Sequence, residues 1–394
     1  MINEQIQKII KASEADLIAM RRELHENPEL PWEEFETTKR IARELDKMGI
    51  EYRLTEPTGI IAEIKGGKAG KTVALRADID ALPVLELSDI PYKSKVEGKM
   101  HACGHDTHTA MLLTAAKALN EVKAELKGTV RLIFQPAEEL AEGAIAMVQQ
   151  CAMDNVDNVD NVFGMHIWSV LPSGKISCEA GPRMAAADIV KIHFKGKGGH
   201  GSLPNQWVDG AVGGSSFVMN VQAAVARETH PLDAAVVSIG KMDVGTRFNV
   251  IAENAILEGT VRTFTLENRD RIRAAVTRFA EHTAAMYGAT VEIEYRHVTP
   301  PVSNEAESSA LATSIVKSAF GEDAIVFDRP TTGAEDFSYY MEKAPGCFAF
   351  VGSANPETDS EWAHHHGRFN VDEAVLKQGA ELYAQYAYHY LNQN

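Results

Sequence analysis

Four apolar runs constrain the fold more than any other feature of the chain. They are "KTVALRAD" (71–78), "GTVRLIFQ" (128–135), "NVFGMHI" (161–167) and "CFAFVGS" (347–353). None shows the strict apolar–polar alternation of a strand with one wet face. Uninterrupted runs suit strands covered on both sides, as in a mostly parallel sheet with helices on each face. A further run, "GIIAEIKG" (59–66), reads the same way. Helical periodicity falls between the runs, at about 4–24, 33–48, 105–125 and 138–151, and again at 311–320 and 373–391. The pattern predicts an α/β fold.

A block from about 184 to 296 interrupts it. The block reads strand ("ADIVKIHFKGKG"), helix (208–229), strand ("AAVVSIGKMDV"), strand ("NVIAENAILEGTVRTF"), helix (267–287) and strand ("TVEIEYR"). That β-α-β-β-α-β order predicts an inserted ferredoxin-like α+β domain with its own core. The expected organisation is one discontinuous α/β domain, 1–183 and 297–394, carrying an insert at 184–296. The long strand "AILEGTVRTF" (255–264) is expected at an edge, open to pairing with a second subunit. The tripled "DNVDNVDNV" (154–162) is too short a repeat for a solenoid and reads as a lengthened loop.

Charge and composition exclude several function classes. The 394 residues carry a formal net charge of −16, with a pI of about 5.4. An acidic surface argues against nucleic acid or an anionic membrane as partner. No run approaches the roughly 18 apolar residues of a membrane span. The amphipathic start, "MINEQIQKIIKASEADL", lacks the apolar core of a signal peptide. Cys103, Cys151, Cys178 and Cys347 match no disulfide framework. A reducing, cytoplasmic setting is expected.

Metal-capable side chains cluster just past the predicted strands. "LRADID" ends in Asp78 and Asp80, "FQPAEE" in Glu138 and Glu139, and "FGMH" in His166; "EWAHHHGRF" follows the strand at 347–353. The densest stretch, "MHACGHDTHTAMLL" (100–113), holds Cys103 and His105 where a helix begins. In open α/β sheets, ligands bind outside the carboxyl ends of the strands. Each cluster alone has an ordinary reading as a helix cap, a core histidine or a wet loop. Four strand ends delivering ligand types to one edge point instead to a metal centre. Thiolate, imidazole and carboxylate together suit zinc, or manganese, cobalt or nickel where oxygen shares the load. Adjacent Glu138 and Glu139 point different ways, so one can bind metal while the other acts as base. In the insert, "GKGGHGSLP" places His200 at a glycine-rich turn, "RFNVIAE" offers Asn249, and "EGTVRTF" offers Arg262, whose fork suits a substrate carboxylate.

These stretches resemble the metallopeptidase-fold amidohydrolases: aminoacylases, hippurate hydrolases, auxin-conjugate hydrolases and related carboxypeptidases. "MRRELHENPEL", "LRADIDALP", "MHACGHDTHTAMLL", "FQPAEE", "FGMH", "GKGGHGSLP", "FNVIAENAILEGTVRTF", "TGAEDFSYY" and "HHHGRFNVDE" carry the likeness in order along nearly the whole chain. The resemblance implies a catalytic domain of zinc-peptidase type with two divalent metals (Mn2+ or Zn2+, with Co2+ or Ni2+ also compatible), and a lid domain that dimerises. It makes Cys103, His105, Glu139, His166 and His365 the metal ligands and Glu138 the general base. Cys103 stands where related two-zinc enzymes have a bridging aspartate. His105 and His166 would serve one metal, Glu139 and His365 the other. Asp80 would orient the site from behind its ligands. His200 and Asn249 would come from a partner subunit's lid to act on the substrate, and Arg262 would hold the substrate carboxylate. The chain departs from the family at Gly367, where proline is frequent.

The expected activity is hydrolysis of N-acyl amino acids, in a homodimer or higher homo-oligomer. Two other readings stand beside it: a dipeptidase or carboxypeptidase using the same site, and an inactive metal-binding scaffold.

Overall fold

The computed structural model describes residues 2–154 and 158–393, so 155–157 of the tripled segment lie outside the described residues. The chain divides into two compact units. One comprises Met1–Gly181, Ser303–Arg329 and Asp336–Asn394; the other comprises Pro182–Val302 and Pro330–Glu335. Their boundaries differ by a few residues from the expected 184 and 296. The last strand of the insert, Thr290–Thr299, stays paired until Thr299 lies opposite Ala187.

In the first unit a seven-stranded sheet has the order Glu51–Leu54, Ile60–Lys65, Lys127–Gln135, Lys68–Asp78, Asn161–Pro172, Gly346–Ala354, Ile176–Ser177. The four strands from Lys127–Gln135 to Gly346–Ala354 run parallel, and the flanking pairs are antiparallel. Gly128 to Gln135 are all buried, as a strand covered on both faces requires. The helices His105–Glu121 and Leu376–Asn392 pack on the strand Lys68–Asp78 and on each other.

Arg76 lies inside this core with about 1% of its surface exposed. Its guanidinium donates to Asp78 Oδ2 (2.6 Å), Asp336 Oδ1 (3.0 Å) and Gln135 Oε1 (2.8 Å). A cation tolerates such burial only when its donors are matched this fully.

Three expectations need correction. The helix foreseen over 4–24 is two helices, Ile2–Ala12 and Glu14–Glu26. They meet at buried Ser13, whose hydroxyl accepts from Lys117 Nζ (3.0 Å) and whose N–H is shared between the carbonyls of Ile9 and Ile10. The strand expected to end at His166 continues to Pro172. Its pairing with Lys68–Asp78 stops at Gly164 opposite Arg76, while Gly346–Ala354 carries it onward, with Phe350 opposite His166. "AILEGTVRTF" is not an edge: Asn254–Thr263 pairs on both sides, with Ala235–Val244 and Ala186–Lys195.

The second unit is a four-stranded antiparallel sheet in the order Ala235–Val244, Asn254–Thr263, Ala186–Lys195, Thr290–Thr299. In chain order that is 2-3-1-4, the ferredoxin-like arrangement. Helices Gly210–Asn220, Gln222–Glu228 and Leu266–Tyr287 complete a separate core around Phe194, Phe217, Leu257 and Ile272. Among the described residues no helix is long and apolar enough to cross a membrane.

Replacing Arg76 by methionine keeps the volume but strands Asp78 and Asp336 in the core. We expect a loss of about 3–5 kcal/mol of stability, read from the urea unfolding midpoint.

Candidate metal centre

The helix His105–Glu121 starts from Gly104, at φ 93°. A Cβ there would lie 2.3 Å from Ile167 Cγ2, so the left-handed backbone and the packing both require glycine. The turn sets Cys103 and His105 side by side. His105 Nδ1 faces two acceptors, the backbone oxygen of Asp80 (3.0 Å) and Asp80 Oδ1 (3.1 Å). Nδ1 therefore carries a proton. Nε2 is buried and has no hydrogen-bond partner among the described residues. Around it lie Asp78 Oδ2 at 3.8 Å, Glu139 Oε1 at 3.9 Å and Glu138 Oε2 at 4.0 Å. His166 repeats the device. Its Nδ1 donates to the Ile167 carbonyl (2.6 Å), and its Nε2 faces Cys103 Sγ at 3.4 Å.

The two glutamates sit in a tight turn rather than in the helix expected over 138–151. Glu138–Leu140 is a single 3-10 turn, and the α-helix is only Gly143–Gln149. Ala137 and Ala141 flank the turn at φ 51° and 55°. Carboxylates from other segments hold the amides of the turn: Ala137 donates to Glu34 Oε1 (2.9 Å) and Glu139 to Asp80 Oδ2 (3.0 Å). Asp80 thus touches His105 with one oxygen and Glu139 with the other.

Among several groups of donor atoms, each with all its atoms within 4.8 Å of one another, two are Cys103, His105 and His166, and Cys103, Glu139 and His365. Cys103 belongs to both. His365 lies at φ 66° in the loop after Gly346–Ala354, with Nε2 at 3.4 Å from Glu139 Oε1. Glu139 Oε1 is buried and makes no hydrogen bond among the described residues. His364 also approaches, its Nδ1 3.9 Å from Cys103 Sγ, but its Nε2 accepts from the Ser169 amide (3.2 Å). At Gly367 a Cβ would meet the Leu85 carbonyl oxygen at 2.5 Å and Leu87 Cγ at 3.1 Å, which is why this chain has no side chain there.

The electrostatics favour a cation. Burial opposes charge on His105, but the carboxylates of Asp78, Asp80 and Glu139 outweigh it and lift the imidazole to about 10. Burial, then Glu139, Glu138 and Asp78, hold the Cys103 thiol well above its ordinary value. Burial, then His108 and His364, depress His166 far below the ordinary imidazole range. Glu139 raises His365.

Several supporting residues escaped sequence reasoning. His108 sits one helical turn after His105 and is buried, but both its nitrogens are used: Nδ1 donates to Asp78 Oδ1 (2.6 Å) and Nε2 accepts from the Ile167 amide (2.8 Å). Asp106, beside His105, accepts from Arg21 Nε (2.8 Å) and contacts His25 Nδ1 (2.9 Å). The i, i+4 spacing of Arg21 and His25 in "RRELH" was the available signal.

In the second unit, His200 and Val250 are opposite each other in a short ribbon, and Gly201 N–H donates to the Asn249 carbonyl (2.9 Å). His200 is exposed; its Nδ1 accepts from the Ser202 amide (3.2 Å) and contacts its hydroxyl (2.8 Å), leaving Nε2 outward. Gly199 is required beneath it, because a Cβ would lie 1.9 Å from the Trp207 ring. Arg262 lies in the sheet of the same unit, half-buried, donating to Thr260 Oγ1 and to the Val261 carbonyl (3.1 Å).

The family model for peptidase family M20/M25/M40 matches residues 74–389. The chain belongs to this family. It is 43% identical over 380 residues to an N-acetylcysteine deacetylase of Bacillus subtilis, covering 96% of this chain and 97% of that protein. It is 40% identical to thermostable carboxypeptidase 2 of Saccharolobus solfataricus, covering 99% of both. A solved Bacillus subtilis structure described as a dinuclear metal-binding peptidase from the M20 family superposes with a TM-score of 0.86, at 39% identity, covering 98% of this chain and 100% of that one. M20 membership with these relatives makes the chain a metal-dependent amidohydrolase or peptidase.

Without a cation, His105 and Cys103 both hold a proton at neutral pH. Adding manganese or zinc to chelator-stripped protein is expected to release protons, and affinity is expected to rise as pH rises toward the His105 value of about 10. Calorimetry in buffers of different ionisation heat measures the release.

Proposed function

We propose that the protein hydrolyses N-acyl amino acids at a two-metal centre held by Cys103, His105, Glu139, His166 and His365. One observation supports this most: His105 Nε2 and Glu139 Oε1 are buried ligand atoms without hydrogen-bond partners among the described residues, 3.9 Å apart, with His365 Nε2 3.4 Å from the same oxygen. Such an arrangement is costly unless a cation lies between them. The carboxylate–imidazole ties behind His105 are those that orient metal-ligating histidines. Two divalent ions, manganese or zinc, with cobalt or nickel also fitting the donors, would supply Lewis acidity and a water made acidic enough to be deprotonated near neutral pH.

The chain's own groups do the rest. Glu138 takes a proton from the attacking water and passes it to the leaving amine as the C–N bond breaks, so the products are a carboxylate and a free amino acid. Asp80 keeps His105 and the Glu138–Glu139 turn in one register. His200 and Asn249, supplied by a partner subunit, would face the developing oxyanion, and Arg262 would receive the substrate carboxylate. The second unit acts as lid and dimer contact, favoured by exposed Met219, Met242 and Phe248 on it. The setting is cytoplasmic. The deacetylase relative favours an N-acetyl substrate; the carboxypeptidase relative favours a second reading, cleavage of dipeptides or C-terminal residues at the same site.

Glu138→Gln is expected to keep its metal content and lose roughly 10²–10⁴-fold in kcat; near-normal turnover would remove Glu138 from the reaction. A panel of N-acetyl, N-benzoyl and dipeptide substrates, on stripped protein re-supplied with each metal, separates the two substrate readings. Preference for dipeptides would overturn the first.

A further inference from the structure

We propose that Glu34 is a positioning residue for the general base, fixing the strained turn that presents Glu138. The proposal rests on the reading of Glu138 as that base.

Glu34 stands at the N-terminal boundary of the helix Phe35–Met48, yet its side chain does not cap that helix. Capping falls to Glu29, whose carboxylate accepts from the amides of Glu36 (3.1 Å) and Thr37 (2.8 Å). Glu34 is fully buried and turned to other segments. Oε1 accepts from the Ala137 amide (2.9 Å), and Oε2 accepts from the Thr58 hydroxyl (2.7 Å). The influences on its carboxyl are burial, hydrogen bonds and the charge of Asp80, and none is a cation. A buried carboxyl without an ion-pair partner is held where it is by its hydrogen bonds alone.

The segment it grips is strained. Ala137 and Ala141 are left-handed without being glycine, at φ 51° and 55°, one on each side of Glu138–Leu140. Such backbone persists only where its surroundings over-determine it. Inside the turn, Gly143 N–H donates to the Ala137 carbonyl (3.1 Å) and Ala141 N–H to the Glu138 carbonyl (2.7 Å). Those bonds close the loop on itself but do not fix its direction. Two outside groups grip its amides: Asp80 at Glu139, and Glu34 at Ala137. Asp80 acts on the proposed ligand; Glu34 acts one residue before the base. Without Glu34, Ala137 loses the bond that rewards its left-handed conformation, and Glu138 loses its aim.

The Ala137 bond needs only a lone pair on Oε1. It therefore survives protonation, although burial raises this carboxyl to about 7. Glutamine offers the same lone pair at the same reach; aspartate is one methylene too short to serve both Ala137 and Thr58.

The test uses the metal-loaded enzyme with an N-acetyl amino acid substrate. Glu34→Ala and Glu34→Asp are expected to lose roughly tenfold or more in kcat, the scale of a small misplacement of a catalytic group. KM and metal content should stay near wild type. Glu34→Gln is expected to keep kcat within about threefold of wild type, the amide preserving that alignment. In the Glu138→Gln background, Glu34→Asp should cost little more, because both act through one group. If Glu34→Ala does not fold, Glu34→Asp carries the test. Wild-type kcat in Glu34→Asp, or Glu34→Gln as impaired as Glu34→Asp with metal retained, overturns the proposal. A fully additive double variant also overturns it. Full activity in Glu138→Gln alone would instead overturn the reading of the base.

Discussion

Asp80 holds the centre together. Its Oδ1 accepts from the His105 imidazole and its Oδ2 from the Glu139 amide, so one carboxylate joins the start of the helix His105–Glu121 to the turn after Lys127–Gln135. These segments follow different strands and have no covalent reason to keep a common register. Asp80 keeps it from just past the end of Lys68–Asp78, the strand paired with Lys127–Gln135. The same contact places the His105 proton on Nδ1 and leaves Nε2 facing the other donors. Orientation and tautomer are thus set by one side chain.

Around that tie the centre is over-furnished with negative charge. Asp78, Asp80, Glu138 and Glu139 all lie close to His105. Arg76 donates to Asp78, and His108 is committed to the same aspartate. The carboxylates of Asp78, Asp80 and Glu139 together outweigh burial and keep the proton on His105, and a divalent cation would answer more of that charge than a proton does. Cys103, shared between two donor groups, is held neutral first by burial and then by Glu139, Glu138 and Asp78. The affinity for cations is a property of the whole cage rather than of any single ligand.

Much of this was legible in the sequence. Uninterrupted apolar runs gave away the parallel core, and the chemistry just beyond each run located the working edge. The two-group division around Cys103 came from resemblance, since nothing in spacing alone assigns donors between ions. What stayed hidden depended on contacts distant in the chain. Ser13 breaks a perfectly periodic helix through packing near Lys117. "AILEGTVRTF" alternates like an edge strand, but beside the preceding strand Ala235–Val244 it also pairs with Ala186–Lys195, far back in the chain. His364, His365 and His366 are indistinguishable by type; only the left-handed backbone at His365 and the Ser169 amide on His364 set them apart. Glu34 carried no signal in the sequence, because its partner Ala137 is a residue with no chemistry of its own.

The unbroken passage of Asn161–Pro172 beneath His166 anchors that side chain from both directions along the chain. The imidazole sits on a rail clamped by Gly346–Ala354 rather than at a loose end. At the amino end of that rail, Asp160 is tied to Thr72 through both its amide and its carboxylate. Paired strand therefore runs both before and after His166, so its ring cannot shift without shifting the sheet that carries it.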